Sequence, residues 1–119
     1  MAELPDLNED VLDKLGRSYG PKFVSELISL FLEHVPKNIN AALAAEKAGD
    51  LVALERAVHS VKSSAGNIGA EALLELTGKI EHLASQGKVE PLAPLMRRLE
   101  AAFSRLCTRL ELRKNEVEK

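Results

Sequence analysis

Leu92, Leu95, Leu99, Phe103, Leu106 and Leu110 recur at intervals of three or four residues. That spacing lines one face of an α-helix and does not fit the two-residue alternation of a strand. The pattern returns in Val24, Leu27, Ile28, Phe31 and Val35, in Leu51, Leu54, Ala57, Val58, Val61, Ala65 and Ile68, and in Leu73, Leu76, Ile80, Leu83 and Ala84. Aromatic residues make up 3% of the chain and tryptophan is absent. The core must therefore come from Leu, Ile, Val and Ala, which pack helices closely and leave strands without their aromatic runs.

Punctuation residues set the boundaries. Asp6 with Glu9 makes a D-x-x-E capping pattern ahead of Leu7, Val11, Leu12 and Leu15, and Gly16 or Gly20 ends that short helix. Pro21 fits the first turn of a second helix, and Pro36 predicts a kink before the helix resumes through Ile39, Ala42 and Leu43. Gly49 stops it and Asp50 caps a third. Gly66-Asn67-Ile68-Gly69 reads as a turn, Gly87 closes the fourth helix, and Pro91 opens the fifth. Short links between long amphipathic helices favour antiparallel neighbours. The expected fold is all-α: an up-down antiparallel four-helix bundle with an additional short N-terminal helix, in one domain over residues 1–119.

Composition narrows the function classes. A net charge of −2 gives no general attraction for nucleic acid or an anionic membrane. Arg97, Arg98, Arg105, Arg109 and Arg113 are interleaved with Glu100, Glu111 and Glu116, which reads as a solvated face with ion pairs. No apolar run approaches a bilayer-spanning length, and Met1-Ala2-Glu3-Leu4-Pro5-Asp6 lacks the basic-then-apolar order of a signal peptide. The single Cys107 excludes an internal disulfide framework and suits a reducing compartment. A cytoplasmic monomer is the simplest expectation. The charged end, Lys114 to Lys119, leaves a free-standing protein and a piece of a larger kinase equally open.

His59 stands apart from this apolar pattern. At about 100° per residue it points roughly 140° from the centre of the third helix's apolar stripe, so the ring is held outward with Lys62 one turn later. An unperturbed imidazole titrates at about pH 6.5, so much of it is neutral and nucleophilic near pH 7. Nε2 is the attacking atom expected from exposed helix geometry, with a hydrogen bond to Nδ1 fixing the tautomer. His82 points away from its helix's apolar face and reads as solvated. His34 borders the apolar face of the second helix and reads as a packed boundary residue. No short metal-ligand spacing joins the three histidines, and Cys107 reads as a small core hydrophobe.

The run Val58-His59-Ser60-Val61-Lys62-Ser63-Ser64, then Asn67-Ile68-Gly69-Ala70, then Leu73 to Glu81, resembles the histidine-containing phosphotransfer (HPt) domain of bacterial multistep phosphorelays. The family pattern is an Ala-His-x-Leu-Lys-Gly-Ser core, a Gly-Ala turn and Leu-x-x-Leu-Cys-x-x-Leu-Glu. Pro36 and the Ala48-Gly49-Asp50 entry to the third helix also sit where the family has them. Val58, Val61 and Thr77 depart from the pattern by packing exchanges. Ser63 replaces a glycine and either narrows the access to His59 or adds a hydroxyl donor for a phosphoryl group.

The resemblance implies a phosphorelay intermediate: His59 accepts a phosphoryl group from a receiver-domain aspartyl phosphate and passes it to another receiver. Lys62 offsets phosphate charge, Ser63 lies within reach, and Glu55, Arg56, Lys62, Ser63 and Gly66 form the docking face. Hydroxyls of Ser63 and Ser64 can also bond back to helix carbonyls, while Asn67 and Gly69 serve the turn. No Gly-x-x-x-x-Gly-Lys-Ser/Thr loop is present, so the expectation is a carrier without an ATP site or cofactor of its own, magnesium coming with the receiver. Two other readings stand beside it: a docking module that inhibits a receiver or sensor kinase without accepting phosphate, and a helical structural subunit with an incidental histidine.

Overall fold

The computed structural model describes residues 4–117 of the chain; Met1, Ala2, Glu3, Glu118 and Lys119, read above for their charge, lie outside the described residues. Five helices follow one another: α1 (Glu9–Tyr19), α2 (Pro21–Ala48), α3 (Leu51–Ile68), α4 (Glu71–Ser85) and α5 (Leu92–Val117). No strand occurs among the described residues. Helix α2 packs on α3 and α5, α4 packs on α3 and α5, and α1 lies against α2. His59 lies beside Glu81, and a Cβ on Gly66 would lie beside Leu74, so α3 and α4 run in opposite directions from the corner at Gly69.

The core is the one the periodicity marked. Val24, Ile28 and Val35 of α2, Leu54, Val58 and Val61 of α3, Leu73 and Ile80 of α4, and Leu99, Leu106 and Leu110 of α5 are buried. In α5, Met96 and Ala102 complete the buried face, whereas Leu95 and Phe103 are only partly covered. Phe103 instead meets Phe31 with ring centroids 6.4 Å apart. Each fully buried leucine or isoleucine contributes about 1.5–3 kcal/mol by leaving water, so this apolar seam dominates the fold's stability.

Several boundaries differ from the sequence reading. Asn8, not Asp6, caps α1: its side-chain oxygen accepts from the Asp10 amide at 3.1 Å. Asp6 is instead drawn to Arg105, which donates from Nε at 3.0 Å and from Nη2 at 3.2 Å. Gly16 stays inside α1, and Gly20, at φ 93°, ends it. Helix α2 spans Pro21–Ala48 with Pro36 inside it, so the segments before and after the proline belong to one helix, as the sequence reading has it. Asp50 caps α3 as expected, accepting from the Ala53 amide at 3.0 Å.

Of the expected four-residue turn only Gly69 is left outside the helix, and with Ala70 it makes a two-residue link to α4. Gly66, Asn67 and Ile68 remain helical, and only Gly69 leaves the helix, at φ 83°. A Cβ there would stand 2.8 Å from Val11 Cβ and 2.9 Å from the Asn8 carbonyl oxygen. Glycine is required at 69 both by its backbone angle and by the close approach of α1. Burial of Ile68 keeps the last turn of α3 wound against the core.

Candidate functional site

Helix α3 presents its polar face between α4 and solvent. The apolar stripe fixes the helix's rotation, and with it the outward direction of residue 59, whose side chain is 61% exposed. Glu81 of α4 reaches across to this ring, its Oε2 lying 2.5 Å from His59 Nδ1. The other carboxylate oxygen, Oε1, accepts from Lys62 Nζ at 2.5 Å. One carboxylate therefore joins His59 and Lys62, and it is only 19% exposed.

The electrostatics follow from that bridge. The Lys62 ammonium holds the Glu81 carboxyl below its ordinary value of 4.5, against an opposing push from partial burial, with His59 adding to the lowering. An ionised carboxylate only accepts hydrogen bonds, so the proton of a neutral His59 ring lies on Nδ1. Nε2 then carries the lone pair. No other hydrogen bond or ion pair holds the ring among the described residues.

The predicted docking residues share this face. Arg56, Ser63 and Gly66 are exposed, and Glu55 and Lys62 are half-buried. Among the described residues, Glu55 and Arg56 make no ion pair, and the Ser63 hydroxyl has no hydrogen-bond partner. It is Ser60 that bonds back, to the Arg56 carbonyl at 3.4 Å, rather than Ser63 or Ser64. Apolar side chains flank the patch. Val52, one turn before Glu55 and Arg56, is exposed, and a Cβ on Gly66 would lie 3.9 Å from Leu74 Cδ1.

The other residues singled out fall elsewhere. His82 is exposed as expected. His34 is exposed too, which corrects the boundary reading: its direction on α2 clears the buried stripe of Phe31 and Val35. Cys107 is half-buried, and burial, helped by Glu111, pushes its thiol up. Thr77, in the usual cysteine position, is buried with its hydroxyl donating to the Leu73 carbonyl at 2.8 Å. Among the described residues no three His, Cys, Asp or Glu side chains converge on a metal position.

The arginine face of α5 pairs mostly with the N-terminal segment. Arg109 and Arg113 bind Glu9 at 2.9 and 3.0 Å, and Arg113 also binds Asp13 at 2.7 Å. Arg97 pairs with Glu100 of its own helix, as the sequence suggested, and with Glu46 of α2. A groove of about 800 Å³ between the N-terminal segment, α4 and α5 is lined by Asp6, Glu75, Lys79, Arg98 and Arg105, and it excludes every residue of the His59 face.

The geometry leaves an exposed imidazole with one nitrogen engaged, one nitrogen available as a nucleophile and a lysine alongside. The Hpt domain family model matches residues 26–116. The chain belongs to the Hpt domain family, whose members carry phosphoryl groups on histidine in phosphorelays and lack ATP sites. No curated protein matches the chain in sequence. Its fold is similar to that of histidine-containing phosphotransfer protein B (HptB) from Pseudomonas aeruginosa PAO1. Against that crystal structure the TM-score is 0.88 at 24% identity, covering 96% of this chain and 98% of the other. Helix α1 lies before the family-matched segment. No described helix is long and apolar enough to cross a membrane.

Glu81 is the functional candidate that sequence reading left without a role. It closes the matched Leu73–Glu81 run, yet nothing local marks it. The available signal was geometric: in an antiparallel pair turning at Gly69, residues about equally far from the corner meet, and His59 and Glu81 nearly satisfy this.

Proposed function

We propose that the chain is a single phosphorelay domain, an up-down bundle of α2 to α5 with α1 appended, that takes a phosphoryl group onto His59 from one receiver domain and gives it to another. The observation that carries the reading is the His59–Glu81 contact: Nδ1 is engaged and Nε2 of the same exposed ring is open to a partner. The Nε2 lone pair attacks phosphorus, the P–Nε2 bond forms as the aspartyl P–O bond breaks, and the receiver's aspartate departs as a carboxylate. The receiver brings the magnesium that this reaction uses.

Arg56, Ser63 and Gly66, with Glu55 and Lys62 at their side, supply the docking face. Gly66 keeps the surface low beside Leu74, so a receiver's phosphorylated loop can approach His59 closely. Lys62 lies one turn from the ring and offsets phosphoryl charge once it turns from Glu81 toward the new group. Ser63, the next residue along and also one turn from His59, offers an unengaged hydroxyl. The test is transfer of label from a phosphorylated receiver to the purified protein and to His59→Gln. Label on the wild type and none on the variant, with equal helicity, is expected; a fully labelled variant contradicts the proposal.

A further inference from the structure

We infer that the groove between the N-terminal segment, α4 and α5 is a second docking site, which takes an acidic amphipathic helix of a partner protein while the His59 face stays open. It sets an apolar floor beside an arginine that has no acid of its own. Leu4, Ala72 and Leu76 of α4, and Ala101 of α5 supply the floor. Leu4 and Ala101 are exposed there. Lys79, Arg98 and Arg105 line the same groove.

The arginines of α5 decide the charge. Arg97 has Glu46 and Glu100, Arg105 has Asp6, and Arg109 and Arg113 share Glu9. Arg98 is exposed and makes no hydrogen bond or ion pair among the described residues. The positions three and four away on its helix, Pro94, Leu95, Ala101 and Ala102, carry no acid. Both carboxylates lining the groove are taken, Glu75 by Lys79 at 3.4 Å and Asp6 by Arg105 at 3.0 Å. A guanidinium is therefore left over beside an apolar surface, and its planar fork matches one carboxylate bidentately. The chain as a whole carries a net charge of −2, so this attraction for an acid is local to the groove.

A helix is the occupant that suits this lining. Ala72 and Ala101 are short, so the floor between α4 and α5 is low, and a ridge of Leu and Ala at helical spacing seats between the two helices. A Glu at the edge of that ridge reaches Arg98. A small anion would leave most of a groove of about 800 Å³, and its apolar floor, uncovered. A second copy meeting it groove to groove would set two low floors against each other. The lining contains none of Glu55, Arg56, His59, Lys62, Ser63 or Gly66, so helix and receiver can be bound together. A partner held here stays near His59 through repeated transfers.

The probe is an acetylated peptide of Leu-Glu-Gln-Ala-Leu-Glu-Gln heptads, with Leu and Ala on one helical face and Glu along one edge. Its control carries Gln for every Glu. Anisotropy of the labelled peptide reads affinity, and amide ¹⁵N shifts of the protein read position. Saturable binding is expected, with shifts at Ala72, Leu76, Arg98 and Ala101 and none at His59, Lys62 or Gly66. Arg98→Glu should weaken binding by about tenfold or more and melt like the wild type, because the side chain has no partner to lose. Ala101→Gln, which raises the floor without adding charge, should weaken it too. Transfer of label from a receiver onto His59 should be the same with and without saturating peptide. The inference is overturned by undiminished binding to Arg98→Glu, equal affinity for the Gln control, shifts on the His59 face, inhibited transfer, or no binding at all. A dimer that Arg98→Glu dissociates would overturn it by making a second copy the occupant. Displacement by inorganic phosphate but not by chloride of equal ionic strength would overturn it in favour of a small anion. If no receiver labels the wild type, the relay reading fails while the peptide titration still decides the groove.

Discussion

His59 Nδ1 and Glu81 Oε2 stand 2.5 Å apart across two helices, twenty-two positions apart in the chain. Through the same carboxylate Lys62 is tied to α4, so the polar face of α3 is organised by a residue outside α3. The exposed imidazole is thus held by its neighbour and not left to rotate, which fixes the nitrogen it offers.

The first prediction concerns acid stability. Because Glu81 is lowered in the folded protein, its ties to Lys62 and His59 contribute fully above its ordinary value of 4.5 and are lost as pH falls through the lower folded value. Glu81→Gln should melt below the wild type at neutral pH, by about 1 kcal/mol or less for a cluster whose histidine is exposed and whose lysine is half-buried. The gap should close below pH 4.5. Melting curves at successive pH values check this; a gap that widens toward acid would contradict it.

Gly69 and Gly66 should respond oppositely to alanine. Gly69→Ala places a Cβ against Val11 and the Asn8 carbonyl at a positive φ, and about 1–3 kcal/mol of stability should be lost. Gly66 is helical and exposed, with its Cβ position in ordinary contact with Leu74, so alanine should stabilise by about 0.5–1 kcal/mol. The same methyl raises the docking face, and receiver transfer should slow while melting rises. Urea titrations and transfer assays on both variants separate the two effects.

Arg113 fastens α1 to α5 through Glu9 and Asp13. Burial opposes its charge, and Asp13 and Glu9 more than compensate, holding the guanidinium above its usual range. Arg113→Ala should cost about 1 kcal/mol and weaken amide protection in α1 before α3 or α4 is affected. Its penalty should shrink in about 1 M salt, where the screening length is about 3 Å. Hydrogen exchange at low and high salt reads this directly.

Ser63 has no hydrogen-bond partner among the described residues, so Ser63→Ala should leave the melting temperature nearly unchanged. Transfer onto His59 should slow by about two- to tenfold, the worth of one hydrogen bond to the incoming phosphoryl group. Equal rates would assign Ser63 to packing of the docking face alone.

Much of this was legible in the residues because it is local. Helical spacing set the buried seams, Gly49 and Asp50 marked the entry to α3, and rotation about the stripe put His59 outside. What escaped depends on contacts between distant segments. Asp6 and Asn8 can both cap a helix, and only the nearness of Arg105 decides that Asp6 does something else. Gly66-Asn67 has turn chemistry, but burial of Ile68 outweighs local preference and keeps the helix wound. The acids that pair with Arg109 and Arg113 lie about a hundred positions away, where spacing along one helix carries no information.

The central claim is that His59 accepts phosphate on the nitrogen that Glu81 leaves open. After incubation with a phosphorylated receiver, ³¹P–¹⁵N coupling in histidine-labelled protein locates the phosphorus. The account predicts one phosphate, on Nε2 of His59. Phosphate on Nδ1, on His34 or His82, or on no histidine at all would contradict it.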